Sequence, residues 1–149
     1  MPIESLPKSL KTFHDIGFEE IEHTADCALH IFGNNLPELL TNAAIGMTSL
    51  IAFEPSSIPE DTKRNVELEA MDAESLLVEW LSELSYWAET EMLIFYRFEL
   101  YNVTPNHLQA VIRGGHASGL KKHIKAVTYH NLEVIETEKG LETTVVFDV

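Results

Sequence analysis

Two aspartates carry the first hint of chemistry. Asp26 follows Thr24-Ala25 between two strand-like pieces, and Asp148 sits among Val145, Val146, Phe147 and Val149. An acid in an apolar strand needs a partner, a hydrogen bond or an ion. If the fold brings the two together, their mutual repulsion favours a hard divalent cation held by oxygens. The sequence alone does not show that they meet. A turn aspartate and a frayed chain end fit the same pattern, and both readings stay open.

Other reactive residue types form no motif. The seven histidines, His14, His23, His30, His107, His116, His123 and His130, include no His-Glu-x-x-His pair of a zinc protease. Cys27 is the only cysteine, so it forms no internal disulfide and no cysteine-rich zinc site. It reads as a small core residue in a reducing compartment. The stretch Arg113-Gly114-Gly115-His116-Ala117-Ser118-Gly119 lacks the phosphate-loop lysine and does not open a helix, so it reads as a plain loop. No Gly-x-Ser-x-Gly elbow supports a serine hydrolase.

Charge narrows the partners. The chain has 149 residues, with 24 acids against 10 bases and a formal charge of -14. Such a surface repels phosphate backbones, so tight direct nucleic-acid binding is not expected. It suits a basic protein partner, although acidity also serves solubility alone. The N-terminal residues lack a basic region followed by an apolar run, and no apolar stretch reaches the length of a membrane span. A soluble cytoplasmic protein is expected.

The elements that must position the aspartates follow from periodicity. Residues 1–16 read as a tail and 17–149 as one domain. Phe18–Glu22 and Cys27–Phe32 read as strands, the second with Cys27, Leu29 and Ile31 on one face. Asn35 caps a helix over Leu36–Ala52, with apolar residues at helical spacing. Asp72 caps a second helix that runs to Thr90, with Glu74, Glu79 and Glu83 largely off its buried stripe. Between them lie a loop over Glu54–Lys63 and a strand over Val66–Ala70. Strands follow over Met92–Val103, His107–Arg113, Ile124–Tyr129 and Leu132–Glu136. A Glu138-Lys139-Gly140 turn leads into Leu141–Val149. The order predicts a compact α+β domain with a largely antiparallel sheet and two principal helices.

Five strings resemble the archease family. They are Glu22-His23-Thr24-Ala25-Asp26, Leu36 to Ala44, Leu76 to Leu84, Lys125-Ala126-Val127-Thr128-Tyr129-His130 and Val145-Val146-Phe147-Asp148-Val149. They occur in the family's order from about residue 18 onward. The resemblance implies a mixed, largely antiparallel sheet and a protein that is not itself an enzyme. It implies a protein cofactor of the GTP-dependent RNA ligase that seals tRNA halves, promoting the ligase's guanylylation and multiple turnover. It also implies a divalent ion, calcium or magnesium or manganese, held by Asp26 and Asp148. Lys125 falls on the family's functional lysine, Glu83 on a recurring helix acid, and His23 and His130 within motifs of no assigned role. The chain departs from many members at His123 and at Gly115-His116, where an acid is common. Two other functional classes remain: a chaperone-like or methyltransferase-modulating binding protein, and a metal-dependent phosphoester hydrolase.

Overall fold

Asn35 and Asp72 start the two helices by the same device. In the computed structural model, which describes residues 17–22 and 26–149, the Glu38 backbone N–H donates to Asn35 Oδ1 at 3.0 Å. The Ser75 N–H donates to Asp72 Oδ1 at 2.8 Å. Each cap satisfies an amide that the first helical turn leaves without a partner, and losing the Asn35 cap costs about 1 kcal/mol. The Ser75 backbone hydrogen bond also holds the Asp72 carboxyl below the ordinary 3.8. The helices are α1, Leu36–Ile51, and α2, Ala73–Glu91. The tail over residues 1–16 lies outside the described residues.

The strands are β1 (Phe18–Glu22), β2 (Asp26–Gly33), β3 (Thr62–Glu69), β4 (Leu93–Thr104), β5 (His107–His116), β6 (Ala126–Val127), β7 (Ile135–Thr137) and β8 (Gly140–Asp148). They form two sheets. One has the order β1-β2-β8-β6, with β7 also paired to β8; the other has the order β3-β5-β4. Every pairing is antiparallel. The α+β class and the two principal helices match the sequence reading.

The helices join the sheets. α1 packs against β2 of one sheet and β4 of the other, while α2 packs against β4 and reaches β6. Leu29, Ile31, Leu39, Leu40, Met47, Leu77, Leu81 and Phe147 fill this core. Trp80 is fully buried, and its indole N–H donates to the Leu40 carbonyl at 2.9 Å, so its one polar atom is satisfied where it ties α2 to α1. The Thr48 hydroxyl ties α1 to β4 through the Phe95 carbonyl at 2.9 Å.

The glycine stretch departs from expectation. Gly114, Gly115 and His116 extend β5 and are not part of a loop. A Cβ at Gly114 would collide with the Ile94 carbonyl oxygen, and one at Gly115 with that of Pro59. Glycine is required here because other backbone approaches closely, from β4 at Gly114 and from the connection before β3 at Gly115. In the other direction, the expected strand Ile124–Tyr129 shrinks to two residues, because only Ala126 and Val127 match the register of β8. The expected hairpin stands: Thr137 pairs with Gly140 across Glu138-Lys139, and Gly140 takes a φ of 125° that favours glycine.

Candidate functional site

The register of β2 on β8 places Asp26 directly opposite Asp148. Residues paired in this way share a face, with Cβ atoms about 4.5–5.5 Å apart. Next along the same face is Ala28 opposite Val146. The alternate pairs, Cys27 with Phe147 and Leu29 with Val145, turn into the core. The aspartates therefore lie on the face away from α1, at the end of the sheet. Asp148 is exposed, whereas Asp26 is half-buried with its Oδ1 shielded from solvent.

The short strand β6 completes one wall. Ala126 pairs with Asp148, and both the backbone N–H and the hydroxyl of Thr128 donate to the Val146 carbonyl, at 3.0 and 2.9 Å. The chain then turns. The His130 N–H donates to Thr128 Oγ1 at 3.3 Å, and Asn131 takes a left-handed φ of 51°. Asp26, Thr128, His130, Val146 and Asp148 line an open hollow of about 310 Å³. Thr128 was not singled out by sequence, although it lies inside the Lys125-to-His130 string.

The donors suit a hard cation. Carboxylate oxygens take calcium, magnesium or manganese without sharp preference, and opposed carboxylates lose their repulsion when such an ion lies between them. Among the described residues, no group of three or more His, Cys, Asp or Glu side chains is arranged to hold a metal. Asp26 and Asp148 thus fit part of an oxygen site.

The other residues singled out by sequence distribute unevenly. The Lys125 backbone N–H donates to the Asp148 carbonyl at 2.7 Å, but Lys125 lines a neighbouring hollow of about 260 Å³ with Ser82, Ser85, Tyr86 and Glu89. His123 faces the same Glu89, with Nδ1 3.0 Å from its carboxylate. Glu83 is half-buried on α2 and lines neither hollow. His130 joins the aspartates, while His23 lies outside the described residues. Burial pushes the Cys27 thiol above its ordinary 9.0; Lys122 opposes this, and Glu20 and Asp26 reinforce it. The thiol therefore stays protonated and unreactive at neutral pH, as a core residue should.

Comparison with known proteins gives one consistent result. The model of the Archease protein family matches residues 18–149. Protein archease of Methanosarcina acetivorans is 36% identical over 140 residues, covering 89% of this chain and 95% of its own. Protein archease of Archaeoglobus fulgidus is 35% identical over 133 residues, covering 87% and 96%. The solution structure of protein 1598 of Methanobacterium thermoautotrophicum superposes with a TM-score of 0.73 at 26% identity, covering 90% of this chain and 99% of that one. A Thermotoga maritima crystal structure, described as an archease and possible chaperone, gives a TM-score of 0.60 at 26% identity, covering 88% and 96%.

Proposed function

Because the chain belongs to the archease family, we propose that it activates a GTP-dependent tRNA-splicing RNA ligase, promoting guanylylation of the ligase and its repeated turnover, without turnover of its own. The observation that carries this reading is the register of Asp26 opposite Asp148. Two like charges held face to face on an antiparallel pair are costly unless something of opposite charge lies between them.

Asp26 and Asp148 would hold a divalent ion, which when bound supplies a localised positive charge to the partner's phosphate chemistry. The chain's own residues do the positioning. Val146 and Thr128 fix the wall of the hollow through their shared hydrogen bonds. The Lys125 backbone is tied to the same strand end through the Asp148 carbonyl while Lys125 lines the neighbouring hollow, so a partner would have to span both hollows to meet the carboxylates and the lysine together. His130 stands at the rim, where it can donate to or accept from a docked group.

Guanylylation of the cognate ligase by radiolabelled GTP, with and without this protein, tests the proposal. A rate increase that vanishes in Asp26→Ala and Asp148→Ala, with both variants folded, supports it. No increase with an active ligase overturns it. The chaperone-like reading, raised by the description of the Thermotoga relative, expects suppression of aggregation with no dependence on Asp26. The hydrolase reading expects the isolated protein to cleave a phosphoester.

A further inference from the structure

The outer face of the β3-β5-β4 sheet holds a second charge anomaly. Lys63 pairs in register with Arg113, and Arg113 with Arg97, so three cations stand in one row across three adjacent strands. Their neighbours establish the direction. Arg64 stacks over Trp87 of α2 at 4.8 Å, Ile112 is fully buried, and Phe98 meets Trp80 edge-on at 5.9 Å. By alternation, Lys63, Arg113 and Arg97 point the other way. Lys63 and Arg97 are exposed and Arg113 is half-buried.

Like charges directly opposite one another destabilise a sheet. The row is therefore unexpected in a chain with only 10 lysines and arginines against 24 acids. Only Arg97 is balanced, by Glu60 at 2.8 Å on the exposed surface. Among the described residues, Lys63 and Arg113 make no ion pair. Two further acids border the row on this face: Glu99, one row along opposite Val111, and Asp61, whose carboxylate lies over Gly115 and 3.5 Å from His116. At the far end of the same face the pattern is complementary: His107 reaches Glu67 at 2.8 Å. The charge mismatch is thus local to one row.

We infer that Lys63, Arg113 and Arg97 form an anion site for phosphate groups. A guanidinium grips a phosphate with two parallel N–H donors, and the lysine adds a point charge beside it. The Arg97–Glu60 pair shows the row already holding an oxyanion at one end, and a phosphate would compete there with Glu60. Since the chain as a whole repels polyanions, the contact is weak and local. Such a contact gains weight when another attachment raises the effective concentration of the phosphate-bearing molecule. This inference does not depend on the proposed ligase role.

Backbone amide shifts of the isotope-labelled full chain, followed at low salt, test the site. Inorganic phosphate, a short single-stranded RNA and poly-glutamate are titrated separately. Phosphate and RNA should both shift Lys63, Arg97, Arg113 and the adjoining Gly114. For RNA, the logarithm of affinity should fall with the logarithm of salt at about -0.7 per phosphate contacted. Tighter binding of RNA than of phosphate assigns the site to a nucleic-acid backbone, and equal binding assigns it to a free or terminal phosphate. Lys63→Gln with Arg113→Gln should remove the shifts. It should also leave Tm unchanged or raised, which a purely structural pair would not do. Shifts elsewhere, no shifts, or a response to poly-glutamate alone would overturn the inference.

Discussion

The two sheets each oppose like charges across an antiparallel pair, with opposite signs. The five-stranded sheet sets Asp26 against Asp148 at its end, and the three-stranded sheet sets Arg113 between Lys63 and Arg97 on its open face. The settings differ. The carboxylates sit in a walled hollow with one oxygen shielded from water, whereas the cations stand on a solvated surface where water and salt soften the repulsion. The same mismatch is therefore more costly in the hollow and should respond more strongly to its counter-ion.

That contrast can be broken or sharpened in order of size. Asp26→Ala should abolish ligase activation while leaving the far-UV circular dichroism spectrum unchanged; a folded variant that still activates fully would remove the hollow from the mechanism. In wild type, calcium or manganese at about 100 times its dissociation constant should stabilise the fold by about 2.7 kcal/mol. Asp148→Asn should lose most of that gain in thermal unfolding, and an unchanged shift would place the ion elsewhere. On the other sheet, Lys63→Gln should raise stability by roughly 0.2–1 kcal/mol, the scale of a relieved cross-strand pair, and a clear loss would show that the row is not repulsive.

The smallest effect is set by pH. The hydrogen bond to Glu67, helped by the Asn102 carbonyl, raises the pKa of His107 above its ordinary 6.5. Stability from the charged pair is therefore fully present below the unfolded pKa and is lost as pH rises through the raised folded value. Glu67→Gln should bring the His107 titration back toward 6.5 by NMR and flatten that slope.

Local rules carried much of this fold into the sequence. Asn35 and Asp72 announced both helices because a cap is a contact between residues three apart, and β1 was legible end to end. The division into two sheets was not legible, because strand partners are chosen by packing across the chain. Gly114 and Gly115 read as a loop, since the carbonyls that exclude a Cβ there belong to Ile94 and Pro59, outside the local string. The aspartates were legible as anomalies, but their meeting depended on the β2–β8 register. Lys125 was singled out by resemblance alone, and only the structure shows that it lines the α2 hollow and not the carboxylate one. The cation row was invisible, because no residue in it is unusual until three strands align.

The pairing of β2 with β8 has a kinetic side. These strands come from opposite ends of the described chain, so aligning them closes a long loop before any ladder bond compensates. Contacts of such wide sequence separation slow folding relative to helical proteins of similar size. Neither half of the carboxylate pair exists as a site until that closure occurs. Cation binding should therefore develop in refolding together with the final native signal and not in any early collapsed phase, which makes a bound ion a timer for the moment the two ends of the sheet meet.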